Sequence, residues 1–287
     1  MTEKGNGGAA QSGKAAPMEA FYWFFFTVWS LFFAWRAIAH HRVDLWPILA
    51  GLVASLATRV ALRCFSPSAL FTNTVVSLLA AALGGFPAAW MAYNQWHSKG
   101  WANIANNDLL LHQPWQGAHF LLCSYTGYLF FDVFDVLLSN LHDKLPYILL
   151  HHIVVLVGFC SILLYDAGFN YLILALICEV HSSVAYVRCL LRMLHQRRDG
   201  TFYVKGEWGV HWASYMTTRV PLHLMLSIKL ALNYSSVFAI MDWPMVQSLA
   251  FVAGILGMNI WNVSLGFDLH KAFLREVYGV GRTLKAA

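Results

Sequence analysis

The residues of this chain that are equipped for chemistry stand inside apolar stretches. Tyr128, Asp132 and Asp135 fall at i, i+4 and i+7 of YLFFDVFDVL, a spacing that puts all three on one helical face. His151 and His152 are adjacent in PYILLHHIVVLVGF, and Glu179, His181, Ser182, Ser183 and Tyr186 crowd ICEVHSSVAYV. Arg219 and His223 lie at i and i+4 of a later run, and Asn259 and Asn262 follow in the last one. A histidine can act as a general base, an acyl-carrying nucleophile or a metal ligand. A neighbouring carboxylate would orient the ring, fix its tautomer and stabilise the imidazolium. The candidate catalytic set is therefore His151, His152, Asp132 and Glu179, with Tyr128, Asp135, His181, Arg219 and Asn259 in supporting or substrate-binding places. Two adjacent imidazoles project about 100° apart on a helix, so only one of the pair can point fully at a given centre. No HExxH or multiple histidine box occurs, so no metal is expected, and no Walker loop or GxGxxG supports nucleotide hydrolysis.

These residues need elements that hold them in lipid. Charged residues make up 11% and hydrophobic ones 59% of the 287 residues, far from the roughly 25% charge of a soluble domain. A bilayer core of about 30 Å takes about 20 apolar residues as helix. On that criterion eight spans are expected, at about 21–39, 45–63, 70–92, 119–139, 146–165, 168–190, 210–232 and 246–267. The second is the weakest, because Arg59 and Arg63 sit in its last turns, where either they snorkel outward or the segment is only a half-span. The fold class is an all-α, polytopic transmembrane bundle of seven to eight spans. Residues 1–19, rich in Gly, Ala and Ser, read as a disordered tail and not as a signal peptide. Residues 20–69 hold the N-terminal spans, 70–267 the main domain and 268–287 a C-terminal tail. The connector 93–118, with Trp96, Trp101 and Trp115, reads as an interfacial hairpin. The five cysteines have no CxxC pairing and read as small packing residues.

Charge orients the bundle. With eight spans, 14 Lys and Arg collect on the side of both termini and of loop 191–209, against only Arg36, Arg42 and Lys99 on the other. Such asymmetry marks the basic side as cytosolic, so the pI near 9.0 is a topology signal and not a nucleic-acid footprint. Counted at ~1.5 Å per residue from that face, Asp135, the two histidines, Asp132, Asn259, His181, Arg219 and Glu179 all fall at depths of ~6 to ~17 Å. Ionisable groups inside a membrane face one another or water, so one shared cavity is expected around Asp132, His151, His152, Glu179 and Arg219. Arg219 would neutralise Asp132 or Glu179. For Asp135 and Arg188 the alternative is to snorkel to the interface, and for Asn259 and Asn262 to act as interhelical glue.

The segments NTVVSLLA (73–80), YLFFDVFDVL (128–137), LPYILLHHIVVLVGF (145–159) and NYLILALICEVHSSVAYVRCLLRML (170–194), together with Arg219, resemble the TLC-domain family of the ceramide synthases and translocating-chain-associated membrane proteins. The likeness runs over about residues 70–267 and is greatest to the TLC-domain-containing branch. It implies a six-span core. In ceramide synthases, paired histidines followed by an HDxxD pattern support N-acylation of a sphingoid base by acyl-CoA. His151 and His152 match the pair and Glu179 the first acid, whereas Cys178 stands in place of the preceding histidine and Ser182 in place of the second aspartate.

Three functions stay open at this point. The first is an acyl-CoA-dependent N-acyltransferase acting on a long-chain amine, with acyl-CoA as co-substrate and no bound cofactor. The second is a non-catalytic lipid-binding regulator of membrane composition, and the third a transporter with a carboxylate-histidine relay. The expected partners are membrane lipids and, for the first function, acyl-CoA, without nucleic acid; a homo-oligomer is an open expectation. Lys285, third from the end, is half of a dilysine retrieval signal and points to the endoplasmic reticulum.

Overall fold

The computed structural model describes residues 15–142, 145–194, 201–232 and 245–279. Every regular element among them is helical. In chain order these are α1 (Ala15–Ala39), α2 (Trp46–Arg63), α3 (Ala69–Lys99), α4 (Trp101–Ala105), α5 (Asn107–His112), α6 (Ala118–Leu138), α7 (Pro146–Tyr165), α8 (Phe169–Leu176), α9 (Glu179–Met193), α10 (Phe202–Ser214), α11 (Val220–Leu232) and α12 (Met245–Tyr278). Six stretches are long and apolar enough to cross a membrane: Glu19–Ala39, Val43–Arg63, Ala69–Lys99, Ala118–Leu138, Pro146–Tyr165 and Phe169–Met193. The expected seventh and eighth spans are helical as well, in α10–α11 and α12, but are not among those six.

Sequence punctuation sets the helix ends. Proline opens α2 and α7 at the first turn, where its missing N–H has no helical acceptor to lose. Ser68 caps α3 by accepting from the Phe71 N–H. Gly117 precedes α6 with φ +82°, in the left-handed region. Two features were not legible. The expected sixth span is broken, α8 ending at Leu176 and α9 starting at Glu179, although Leu-Ile-Cys-Glu holds no helix breaker. Between α10 and α11, Tyr215–Arg219 form a π-helical turn, a feature often found at functional sites.

α6 is the central post, with 78% of its apolar window buried against 11% for the first span. Its tightest neighbour is α2. A Cβ at Gly51 would overlap the Ser124 carbonyl, and one at Gly127 would overlap the Ile48 carbonyl, so two glycines on opposite helices let the backbones touch. The connector is anchored more deeply than an interfacial hairpin requires. Leu110, Leu111 and Trp115 are buried, and the Asn170 side chain of α8 accepts from the Trp115 N–H while donating to the Leu109 and Gln113 carbonyls. Trp96 and Trp101 remain exposed.

Two ion-pair knots sit at opposite ends of the bundle. At one, Arg42 bonds Asp44 and Asp166, and His119 reaches Asp44. Asp44, His119 and Asp166 converge closely enough to hold a cation. Arg42 already supplies the positive charge to both carboxylates, so the residues fit an ion-pair knot better than a metal site. At the other end, Arg188 does not take the snorkelling course that was its alternative. It is buried, pairs with Glu276 at 2.8 and 2.9 Å and with Glu207 at 3.3 Å, and lies 3.7 Å over the Trp208 ring, which ties α9 to α10 and α12.

Candidate functional site

The ends of α2 and α6 and the starts of α3 and α7 bring the first polar cluster together. The His152 Nδ1 lies 2.6 Å from Asp132 Oδ2. The other Asp132 oxygen accepts from Asn73 Nδ2 at 3.0 Å and from the Ser77 hydroxyl at 3.3 Å. The same Asn73 amide donates to Asp135 Oδ2 at 3.1 Å, so one side chain bridges two carboxylates. Arg59 Nε donates to Asp135 Oδ1 at 3.0 Å. Asp132, Asp135, His152, Asn73 and Arg59 are all buried. The outward course that was open to Arg59 and Asp135 is therefore replaced by a buried ion pair between α2 and α6. A lone charge in lipid is costly, and partners on the neighbouring helix remove most of that cost.

Asp132 has one oxygen held by Asn73 and Ser77, which leaves the other for the imidazole. With Nδ1–H donated to Asp132, Nε2 keeps its lone pair and is the acceptor of the ring. Two carboxylates face a single guanidinium here, so an imidazolium formed at His152 would meet a compensating negative charge. Tyr128 packs on the same side, buried, with its ring 6.4 Å from that of His152.

The adjacent histidines diverge, as the helix geometry requires. His151 turns from Asp132 to lie parallel to the Trp261 ring of α12, with centroids 5.8 Å apart. Both histidines line a cavity of about 110 Å³, whose wall is otherwise mainly apolar and includes Glu179, His223, Leu226 and Met258. Asp132 and Arg219 are not part of that wall. Glu179 opens α9 just after the break. Among the described residues its carboxylate accepts only a weak contact from the Cys178 thiol, at 3.8 Å. Gly85 of α3 lies against this point, where a Cβ would press on the Glu179 and Val180 backbone.

Arg219 belongs to a second cluster. Its guanidinium donates to His181 Nδ1 at 3.2 Å, Asn262 Oδ1 at 3.1 Å and the Ser182 hydroxyl at 2.7 Å. It does not neutralise Asp132 or Glu179 by direct contact. His181 is buried and its Nε2 lies 3.3 Å from His211 Nε2. Asn259 bridges to Ser227 of α11 and to its own helix at Ile255, the interhelical bond expected of it. The expected single slab is thus two clusters. His151, His152 and Glu179 share one cavity, Asp132 stands behind His152, and Arg219 and His181 form a separate knot.

Sequence reasoning passed over Asn73, Ser77 and His211, and read Arg59 only as a charge near a helix end. The signal for the first two was present, since Asn73 and Ser77 sit at i and i+4 of NTVVSLLA and so share a face. The TLC domain matches over residues 70–271. The chain belongs to the TLC-domain family. The match takes in α6 to α9 and the double histidine on α7. No match appears among curated proteins or among solved structures. Membership and the helical spans make this a multi-pass membrane protein of a lipid-related family.

Proposed function

We propose that this TLC-domain protein is an acyl-CoA-dependent N-acyltransferase acting on a long-chain amine. The observation that carries the reading is the 2.6 Å contact between His152 and Asp132 at the wall of an apolar cavity. His152 Nε2 takes the proton of the attacking amine as its nitrogen bonds the thioester carbonyl carbon. Asp132 stabilises the resulting imidazolium. When the tetrahedral adduct collapses, the C–S bond breaks, and the imidazolium returns the proton to the departing thiolate. Glu179 faces the same cavity and would take the first proton of the substrate's ammonium group, freeing the nitrogen lone pair for attack, and release that proton to water. The polar cluster lies toward the basic face of the bundle, and we place that face in the cytosol, where acyl-CoA is supplied, with the endoplasmic reticulum as the membrane.

His152 is the working member of the pair in this reading, because His151 has an indole and not a carboxylate as its neighbour. Labelled acyl-CoA incubated with detergent-purified protein and a panel of long-chain amines tests the reaction. An N-acylated product is expected. Folded protein that acylates no amine in the panel would favour a non-catalytic lipid-binding role.

A further inference from the structure

Glycines do two opposite jobs in this bundle. Between α2 and α6 they close a gap, and any side chain would collide with the facing backbone. Between α7 and α12 they leave one open. Among the described residues, a Cβ at Gly158 or Gly257 would meet nothing within 4 Å, and one at Gly254 only the Val154 side chain at 3.6 Å. Transmembrane helices normally use small residues to come together. Here the small residues lie where nothing has come close, so the space belongs to something else.

That space is continuous with the site. A second hollow of about 360 Å³ lies along the same seam and shares His151, Val154, Val157, Gly254 and Met258 with the cavity at His152. Its outer end is framed by Tyr147, Leu150 and Trp261, of which Tyr147 and Leu150 are exposed on the flank of the bundle. Its inner neighbour ends at His152 and Glu179. We infer that the α7–α12 seam is a lateral entry through which the alkyl chain of a long-chain amine slides from the bilayer, bringing its ammonium end to His152 and Glu179.

The occupant follows from the walls. They are almost wholly apolar, so a water-borne ligand would find few partners along them, whereas an alkyl chain exchanges one apolar surround for another. The flank that opens carries the exposed apolar side chains of Leu150 and Val154. The tyrosine and tryptophan at the mouth are amphipathic, and suit the passage of a polar group past an apolar rim. The inference rests on the proposed lipid substrate, but it concerns occupancy and not transfer.

The test is photolabelling in phosphatidylcholine vesicles containing a long-chain primary amine that bears a diazirine on its chain and a terminal alkyne. Adducts are mapped by mass spectrometry on wild-type protein and on His152→Ala, which separates chain entry from catalysis. Adducts on 147–158 and 254–261 should exceed those on the lipid-exposed face of α1, at Phe24 and Leu31, in both proteins. Filling the seam with Gly254→Leu and Gly257→Leu together should lower the seam adducts by about tenfold and leave those on α1 unchanged, since the leucines take the space the chain would use. Seam labelling no denser than α1 labelling in wild type would overturn the inference without need of any variant. Seam labelling unchanged in the folded double variant would do the same.

Discussion

The two buried polar clusters solve one problem in different ways. Around Asp132 and Asp135, negative charge is met by the Arg59 guanidinium, an amide, a hydroxyl and an imidazole. Around Arg219, positive charge is met by uncharged acceptors, namely His181, Ser182 and Asn262. The first cluster is an electrostatic lattice in which each member has a charged neighbour to lose. The second is a hydrogen-bond cradle that disperses one charge. Only the first places a titratable ring between a carboxylate and an open cavity, and that difference points to it as the chemical centre.

Removing single partners should bring out the contrast. The largest effect is expected for Arg59→Met, which strands Asp135 in the bilayer and should cost about 3–5 kcal/mol. Unfolding in mixed micelles would measure it. The double variant Arg59→Met with Asp135→Leu should recover most of the loss. A double variant as unstable as the single one would show that the pair is not the source. Arg219→Met should cost less, about 1–3 kcal/mol, because it leaves neutral groups unpaired and no stranded charge. If Arg219→Met proves the more damaging of the two, the comparison between lattice and cradle is wrong.

Much of this was legible in the sequence, and the failures have a common cause. Apolar length announced the spans, and even the weak second one proved long and apolar enough to cross. The i, i+4, i+7 face of α6 led to Asp132 and Asp135, and the helical offset of adjacent residues announced that His151 and His152 would part. Pairings between helices were harder to read. Arg219 looked like the counter-ion of Asp132 because it was the arginine at matching depth, whereas Arg59 looked interfacial because it lay near a helix end. Depth along the membrane normal can be read by counting residues, but rotation about each helix axis and neighbourhood in the membrane plane cannot. Asn73 and Ser77 went unnoticed for a related reason, since a neutral polar residue in an apolar helix is ordinarily glue.

Smaller effects sharpen the comparison further. Asn73→Leu removes the amide shared by Asp132 and Asp135 and should cost about 1–3 kcal/mol, since it orphans one bond on each carboxylate. In the cradle, Asn262→Leu should cost about 1 kcal/mol, because Arg219 keeps His181 and Ser182. Thermal melting of the two variants in one detergent would order them, and a reversed order would count against the lattice. The smallest change is expected from Gly257→Ala in the open seam, where a methyl group meets nothing and a helix interior gains about 0.5–1 kcal/mol on losing a glycine. A destabilised Gly257→Ala would mean that the seam is closed in the folded protein.

The central claim is that His152 with Asp132, and not His151, carries the reaction. Transfer from labelled acyl-CoA should be followed with wild type, His151→Ala, His152→Ala and Asp132→Asn, each verified as folded. His152→Ala and Asp132→Asn should lower the rate by about 10²-fold or more, the span of general-base and tautomer effects, while His151→Ala should lose far less. Transfer that persists undiminished in His152→Ala, or that disappears only in His151→Ala, would contradict that claim.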